Sequence, residues 1–285
     1  MRIGLIHGLS PKKMHFWESF IRDLDIPVQM SDLGAQTAFN LGVESLPHEP
    51  TYVQLAVGHI IGLLQSCDTI GVPQFEPESD SESNNPWLAD FSGMLMRRLS
   101  LGTLVNLPVF EDITRMNSAA LRLGHMWTHQ PLLAKRSWER NQPLLKPKIQ
   151  TPPMERAGHR TVLVMGSSLL LEEPFLLGTL PEKLSDSKLF PLFSHQVPVS
   201  QTLEFYPRLD IEATSTVDQI QIGAQAMLAG KSAIQGMVYL IAGDDGSALQ
   251  LAKKLQRKAR KPSLILPVHP ETLDETALFQ FANSL

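Results

Sequence analysis

Hydrophobic and polar positions along this chain fall into two alternating regimes. "RIGLIHG", residues 2–8, is a short β-rich run closing on Gly8, the pattern of a buried strand. In "SPKKMHFWESFIRDLD", Phe16, Trp17, Phe20 and Leu24 recur at helical spacing, with Ser10 placed as a cap and Pro11 at the first helical position. "IPVQMSD", 26–32, predicts a second strand, and a polar interval follows. "TYVQLAVGHIIGLLQSC" then keeps the helical period through Val53, Val57, Ile60, Ile61 and Leu64, and "DTIGVPQF", 68–75, predicts a third strand. Residues 76–86 are acidic and polar, a loop by composition. A helix over 87–99, a strand over 103–110 and a long helical region over 117–138 complete the first half.

Residues 141–160 hold four prolines and little periodicity, which marks a domain boundary or a long crossover segment. The pattern then restarts. "TVLVMGSS", 161–168, is a strand ending in a Gly-Ser-Ser turn, followed by a helix over 169–184. "SKLFPLF" is a further strand candidate, and 195–215 has no readable period. "TVDQIQIGAQAMLAG" is helical, with Thr216 or Ser215 as cap and Gly230 as terminator. "IQGMVYLIAG", "SALQLAKKLQRKAR", "KPSLILPV" and "ETLDETALFQFANSL" predict a strand–helix–strand–helix ending. The fold class expected is α/β: two Rossmann-like (flavodoxin-like) domains, 1–145 and 146–285, with parallel sheets around an interdomain cleft.

Composition narrows the chemistry. The net charge of −4 leaves no electrostatic footprint for nucleic acid, and the basic run 253–261 falls where a surface helix should end. No apolar stretch approaches the ~20 residues that span a bilayer. The opening "MRIGLIHGLSPKK" has too short an apolar run for a signal peptide, so a cytoplasmic location is expected. The sequence has one cysteine, Cys67, so neither an internal disulfide nor a metal or cluster site with several Cys ligands can form within it. Its place before a buried strand predicts a small core residue.

In open parallel sheets ligands gather at the carboxyl ends of strands. That rule nominates His7-Gly8, Ser31-Asp32, Pro73-Gln74, Gly166-Ser167-Ser168 and Gly243-Asp244-Asp245, where each could equally be a turn or cap. "GSS" is neither a dinucleotide fingerprint nor a Walker loop, and a cap is the expectation for Ser167. Asp244 and Asp245 could bind a metal, but N-capping by one of them is expected instead. His125 and His129 stand at i, i+4 without the glutamate of a zinc-protease motif, so a surface or partly buried helix is expected there and no metal site.

The stretches "RIGLIHG", "FWESFIRDL", "PVQMSD", "GVESLPHEPTYVQLAVGHI" and "DTIGVP", with "QGMVYLIAG" and the closing "KPSLILPVHPETLDETALFQFANSL", together resemble the 2-hydroxyacyl-CoA dehydratase D-component family, in its activase-associated branch. The resemblance implies a [4Fe–4S] cluster on cysteine thiolates that passes single electrons to a CoA thioester. The family pattern reads roughly Cys-x-Pro-x-Lys ahead of a Gly-His pair. Anchored on Gly58-His59, Pro50 stands at the cysteine position, Tyr52 at the proline and Gln54 at the lysine, and no cysteine follows near Gly243.

The expectation is therefore a cluster-less dehydratase-like protein without autonomous dehydratase activity and with no cofactor. It would be a non-redox accessory or binding subunit, partnered by a cysteine-rich dehydratase-type subunit, an activase or a small anionic ligand. A module binding a CoA ester or nucleotide is the alternative, as is an enzyme of non-redox chemistry using Asp32, Glu49, His59 or Asp244. The cleft candidates are Ser31, Asp32, Glu49, Gln54, His59, Gly166, Ser167, Ser168 and Asp244.

Overall fold

The computed structural model of the protein describes residues 1–6, 8–75, 85–99, 101, 103–146, 153–213 and 215–285. The expected loop at 76–86 lies largely outside them, as does His7. Two compact units are formed, one from Met1–Pro47 with Val53–Lys148 and one from His48–Tyr52 with Ile149–Leu285.

In the first unit the elements run β1 (Ile3–Leu5), α1 (Pro11–Arg22), β2 (Val28–Met30), α2 (Ala35–Ser45), α3 (Thr51–Leu63), β3 (Thr69–Gln74), α4 (Pro86–Ala89), α5 (Phe91–Leu99), β4 (Leu104–Pro108), α6 (Ile113–Thr128) and α7 (Pro131–Asn141). The sheet is parallel in the order β2-β1-β3-β4, with Gly4 of β1 opposite Gln29 and Ile70. The aromatic stripe of α1 is buried as its spacing predicts: Phe16, Trp17 and Phe20 pack among themselves, and Phe16 also meets Trp138 of α7, at ring separations of 5.3–5.7 Å. Trp17 Nε1 donates to the Pro108 carbonyl at 2.8 Å, which satisfies the one polar atom of the ring inside the core.

Three expectations are corrected here. The polar interval after β2 contains α2, whose Gly42 lies so close to α3 that a Cβ would stand 1.7 Å from the Gln54 carbonyl oxygen. Its buried face is Ala38, Phe39 and Gly42, too small and sparse to register as a periodic apolar stripe. The long helix over 117–138 is two helices, because His129 takes the left-handed conformation (φ 56°) and Pro131 restarts the chain at a first helical position. Ser10 stands at the α1 cap position with φ 57°, but its side chain makes no capping bond.

The second unit contains β5 (Arg160–Met165), α8 (Ser168–Leu171), α9 (Pro174–Leu177), α10 (Leu180–Asp186), β6 (Leu189–Phe193), α11 (Val199–Phe205), α12 (Thr216–Leu228), β7 (Ile234–Ala242), α13 (Gly246–Lys258), β8 (Ser263–His269), β9 (Thr272–Leu273) and α14 (Glu275–Ser284). The sheet order is β6-β5-β7-β8-β9, parallel except for β9. The single helix expected over 169–184 is three short ones, broken where Pro174 and Pro181 open new first turns. The unreadable stretch 195–215 holds α11 between two 3-10 turns. A buried polar relay runs through the core: Tyr239 donates to Gln225 Oε1 at 2.9 Å, and Gln225 Nε2 donates to the Leu255 carbonyl at 2.9 Å.

Both sheets thus follow the 2-1-3-4 order, which fits two Rossmann-like halves. The basic run caps α13 as a solvated face, with Lys253, Lys254, Arg257, Lys258 and Arg260 exposed. No helix among the described residues is long and apolar enough to cross a membrane.

Candidate functional site

At the carboxyl end of β2, Ser31 and His59 come together: Ser31 Oγ and His59 Nδ1 are 2.8 Å apart, and both residues are buried, at 9% and 6% exposure. Glycines explain the approach. A Cβ at Gly58 would lie 1.6 Å from the Ala38 carbonyl oxygen, and one at Gly62 would lie 2.6 Å from the Leu33 side chain. The segment after β2 can therefore press against α3, which brings Ser31 onto His59. Asp32, next in the chain, is exposed. Gln54 turns elsewhere: its amide donates to the carbonyls of Leu46 and Pro47 at 2.9 and 3.2 Å, satisfying backbone at the end of α2.

In the second unit the strand order changes direction between β5 and β7, so their carboxyl ends flank a switch point. Gly166, Ser167 and Ser168 follow β5, where the close backbone of Leu240 in β7 would meet a Cβ on Gly166 at 3.3 Å. Ser167 is a cap, accepting from Leu169 N at 3.3 Å, as its sequence predicts. After β7, Gly243 turns with φ 58°, a conformation costly for a residue with a Cβ. Asp244 is exposed. Asp245 is 5% exposed and caps α13 by accepting from Ala248 N at 2.9 Å, and it also receives Ser247 Oγ at 2.7 Å and Tyr52 Oη at 3.2 Å.

Four further residues of this unit carry polar groups in buried settings. Thr51, at 1% exposure, rests its methyl against Gly243, where a Cβ would meet it at 2.9 Å; its Oγ1 has no hydrogen-bond partner among the described residues. Tyr52 holds Asp245. Burial pushes the Asp218 carboxyl up to about 6 against the pull of its Ser215 hydrogen bond; the Asp245 carboxylate adds to the rise and Lys254 opposes it. His195, just past β6, has a buried Nδ1 with no partner among the described residues, and burial lowers its pKa from the ordinary imidazole value. Sequence reading missed all four. The one signal nearby is Ser215, offered by sequence as a cap and found as the N-cap of α12, three residues before Asp218. Glu49 is half-buried in the approach to α3.

The iron–sulfur group implied by the family resemblance meets no suitable donor set. Cys67, the sequence's one thiol, lies at the amino end of β3, the opposite end from the strand-end loops. It is half-buried and not a core residue, because it sits in the turn leaving α3 beside the bare backbone of Gly4. His125 and His129 are exposed, with ring centres 6.3 Å apart, and no group of three His, Cys, Asp or Glu among the described residues could hold a metal ion. Compared with models of known protein families the chain matches none, and no curated protein matches it.

Proposed function

We propose that this chain is a dehydratase-like binding protein, without cluster chemistry of its own, that seats a small molecule at the strand ends of its second unit. The observation that carries the reading is the switch point between β5 and β7. Turns rich in Gly, Ser and Asp border it, and Thr51, whose methyl rests on one of them, has a buried hydroxyl with no partner among the described residues. Asp244, Asp245 and Asp218 concentrate negative charge around that turn, so an uncharged acyl or hydroxyl end of a ligand suits it better than a phosphate. A CoA ester entering acyl end first meets that requirement; a nucleotide entering by its phosphates does not. An accessory role beside a cysteine-bearing subunit is compatible with the same binding.

The test is a thermal-shift screen of the full chain against acetyl-CoA, ATP and small hydroxy acids. A ligand at a hundred times its Kd adds about 2.7 kcal/mol of stability. Acetyl-CoA or a hydroxy acid is expected to raise the melting temperature, with the rise reduced in Thr51→Val. A response to ATP alone, or one that Thr51→Val leaves intact, would count against this placement of the ligand.

A further inference from the structure

The pairing of Ser31 with His59 points to a second kind of chemistry, in the first unit. We propose that Ser31 is a nucleophile and His59 its general base, for acyl transfer from a small ester or thioester. A serine hydroxyl is a weak nucleophile until a base takes its proton, and the base must lie within hydrogen-bond reach. At 2.8 Å, Ser31 Oγ and His59 Nδ1 meet that condition.

Both partners are also held in place. Ser31 N donates to the Leu5 carbonyl at 3.3 Å, which ties the serine backbone to the end of the β1–β2 ladder. His59 stands on α3, where every position from 51 to 60 is buried, and the glycine contacts at Gly58 and Gly62 fix the segment that carries Ser31. Neither side chain needs to search for the other, so little entropy is lost in reaching the reactive geometry. Ser31 is 9% exposed and is followed by the exposed Asp32, at the carboxyl end of a parallel strand, the end where ligands collect.

The step balances without a redox partner. Ser31 Oγ bonds to the carbonyl carbon while its proton passes to His59 Nδ1. The carbon–oxygen or carbon–sulfur bond then breaks, and the departing alcohol or thiol takes that proton. Water attacks the acyl-serine, giving a proton to His59, which returns it to Ser31 Oγ as the carboxylic acid leaves.

The inference does not draw on the ligand reading for the second unit and survives that reading's failure. Its test is incubation of the full chain with a fluorophosphonate, followed by peptide mass spectrometry. The expected result is a phosphonyl adduct on Ser31 of the folded wild type, absent after denaturation and formed about 100-fold more slowly in His59→Gln. A folded wild type left unmodified at Ser31 would overturn the proposal, and that arm needs no variant to fold. An adduct whose rate His59→Gln does not change would overturn the role of His59 as base.

Discussion

In the first unit the hydroxyl of Ser31 meets the imidazole of His59; in the second, the hydroxyl of Thr51, also buried, meets nothing among the described residues. The strand order is the same in both, with a switch point between the first and third strands of each sheet. What differs is how the polar groups near the strand ends are spent. The first unit pairs them internally: Ser31 with His59, and Gln54 with the carbonyls closing α2. The second keeps unmet capacity, among the described residues, at Thr51 and His195 and holds a carboxyl, Asp218, whose pKa is raised to about 6. Topology sets where a ligand could sit, while the satisfaction of individual atoms sets which kind of chemistry is available there.

Each unit is most sensitive at the glycines that let helices touch backbone. Gly58→Ala puts a Cβ 1.6 Å from the Ala38 oxygen, and Gly223→Ala puts one 1.8 Å from the Thr202 oxygen. Each is expected to cost roughly 3 kcal/mol. Hydrogen exchange should quicken in β1 and β3 for the first variant and in β5 and β7 for the second. Identical exchange profiles would mean the units do not respond separately.

Next in size is Asp218. Its folded pKa lies above the ordinary 3.8, so the folded state binds the proton more tightly than the unfolded chain does. Its contribution to stability is full below that ordinary value and is lost as pH rises through about 6. Asp218→Asn removes this loss. The variant should match wild type in acid and exceed it by roughly 2 kcal/mol at neutral pH and above, from the linkage of 1.36 kcal/mol per pKa unit discounted for partial exposure. Denaturant melts across that range measure it, and a constant difference between the proteins would remove Asp218 as the source.

The smallest effects carry the sharpest contrast, since they should differ in sign. Ser31→Ala leaves the buried Nδ1 of His59 without its hydroxyl and is expected to destabilise by about 1 kcal/mol. Thr51→Val replaces a hydroxyl that has no partner among the described residues by a methyl of similar shape and is expected to stabilise the ligand-free protein by about 1 kcal/mol. Matched urea titrations decide it. Destabilisation by both would show that Thr51 Oγ1 is satisfied in solution, for instance by water.

Much of the fold was legible because apolar spacing is a local property. The α1 stripe, the strands flanking it, the Ser167 cap and the choice of a capping aspartate after β7 all follow from short-range pattern and turn chemistry. The α2 helix escaped because its contact with α3 depends on Gly42 and Ala38, residues whose value is the absence of bulk. The overlong helices escaped because Pro131, Pro174 and Pro181 mark first turns as readily as they mark breaks. Among the candidate residues, sequence reasoning placed Ser31 and His59 separately, and 28 positions apart they have no local signal of being a pair.

The α/β class, the two runs of alternating strand and helix, and a single thiol that cannot supply the ligands of an iron–sulfur cluster are readable along the chain. Those follow from periodicity and from counting. That Ser31 faces His59, that Tyr52 holds Asp245, and that Thr51 Oγ1 and His195 Nδ1 meet no partner among the described residues are facts of the folded chain alone. Such facts depend on distances between segments far apart in the chain. Whether a buried polar atom is satisfied depends on which backbone its neighbours' small residues allow to approach.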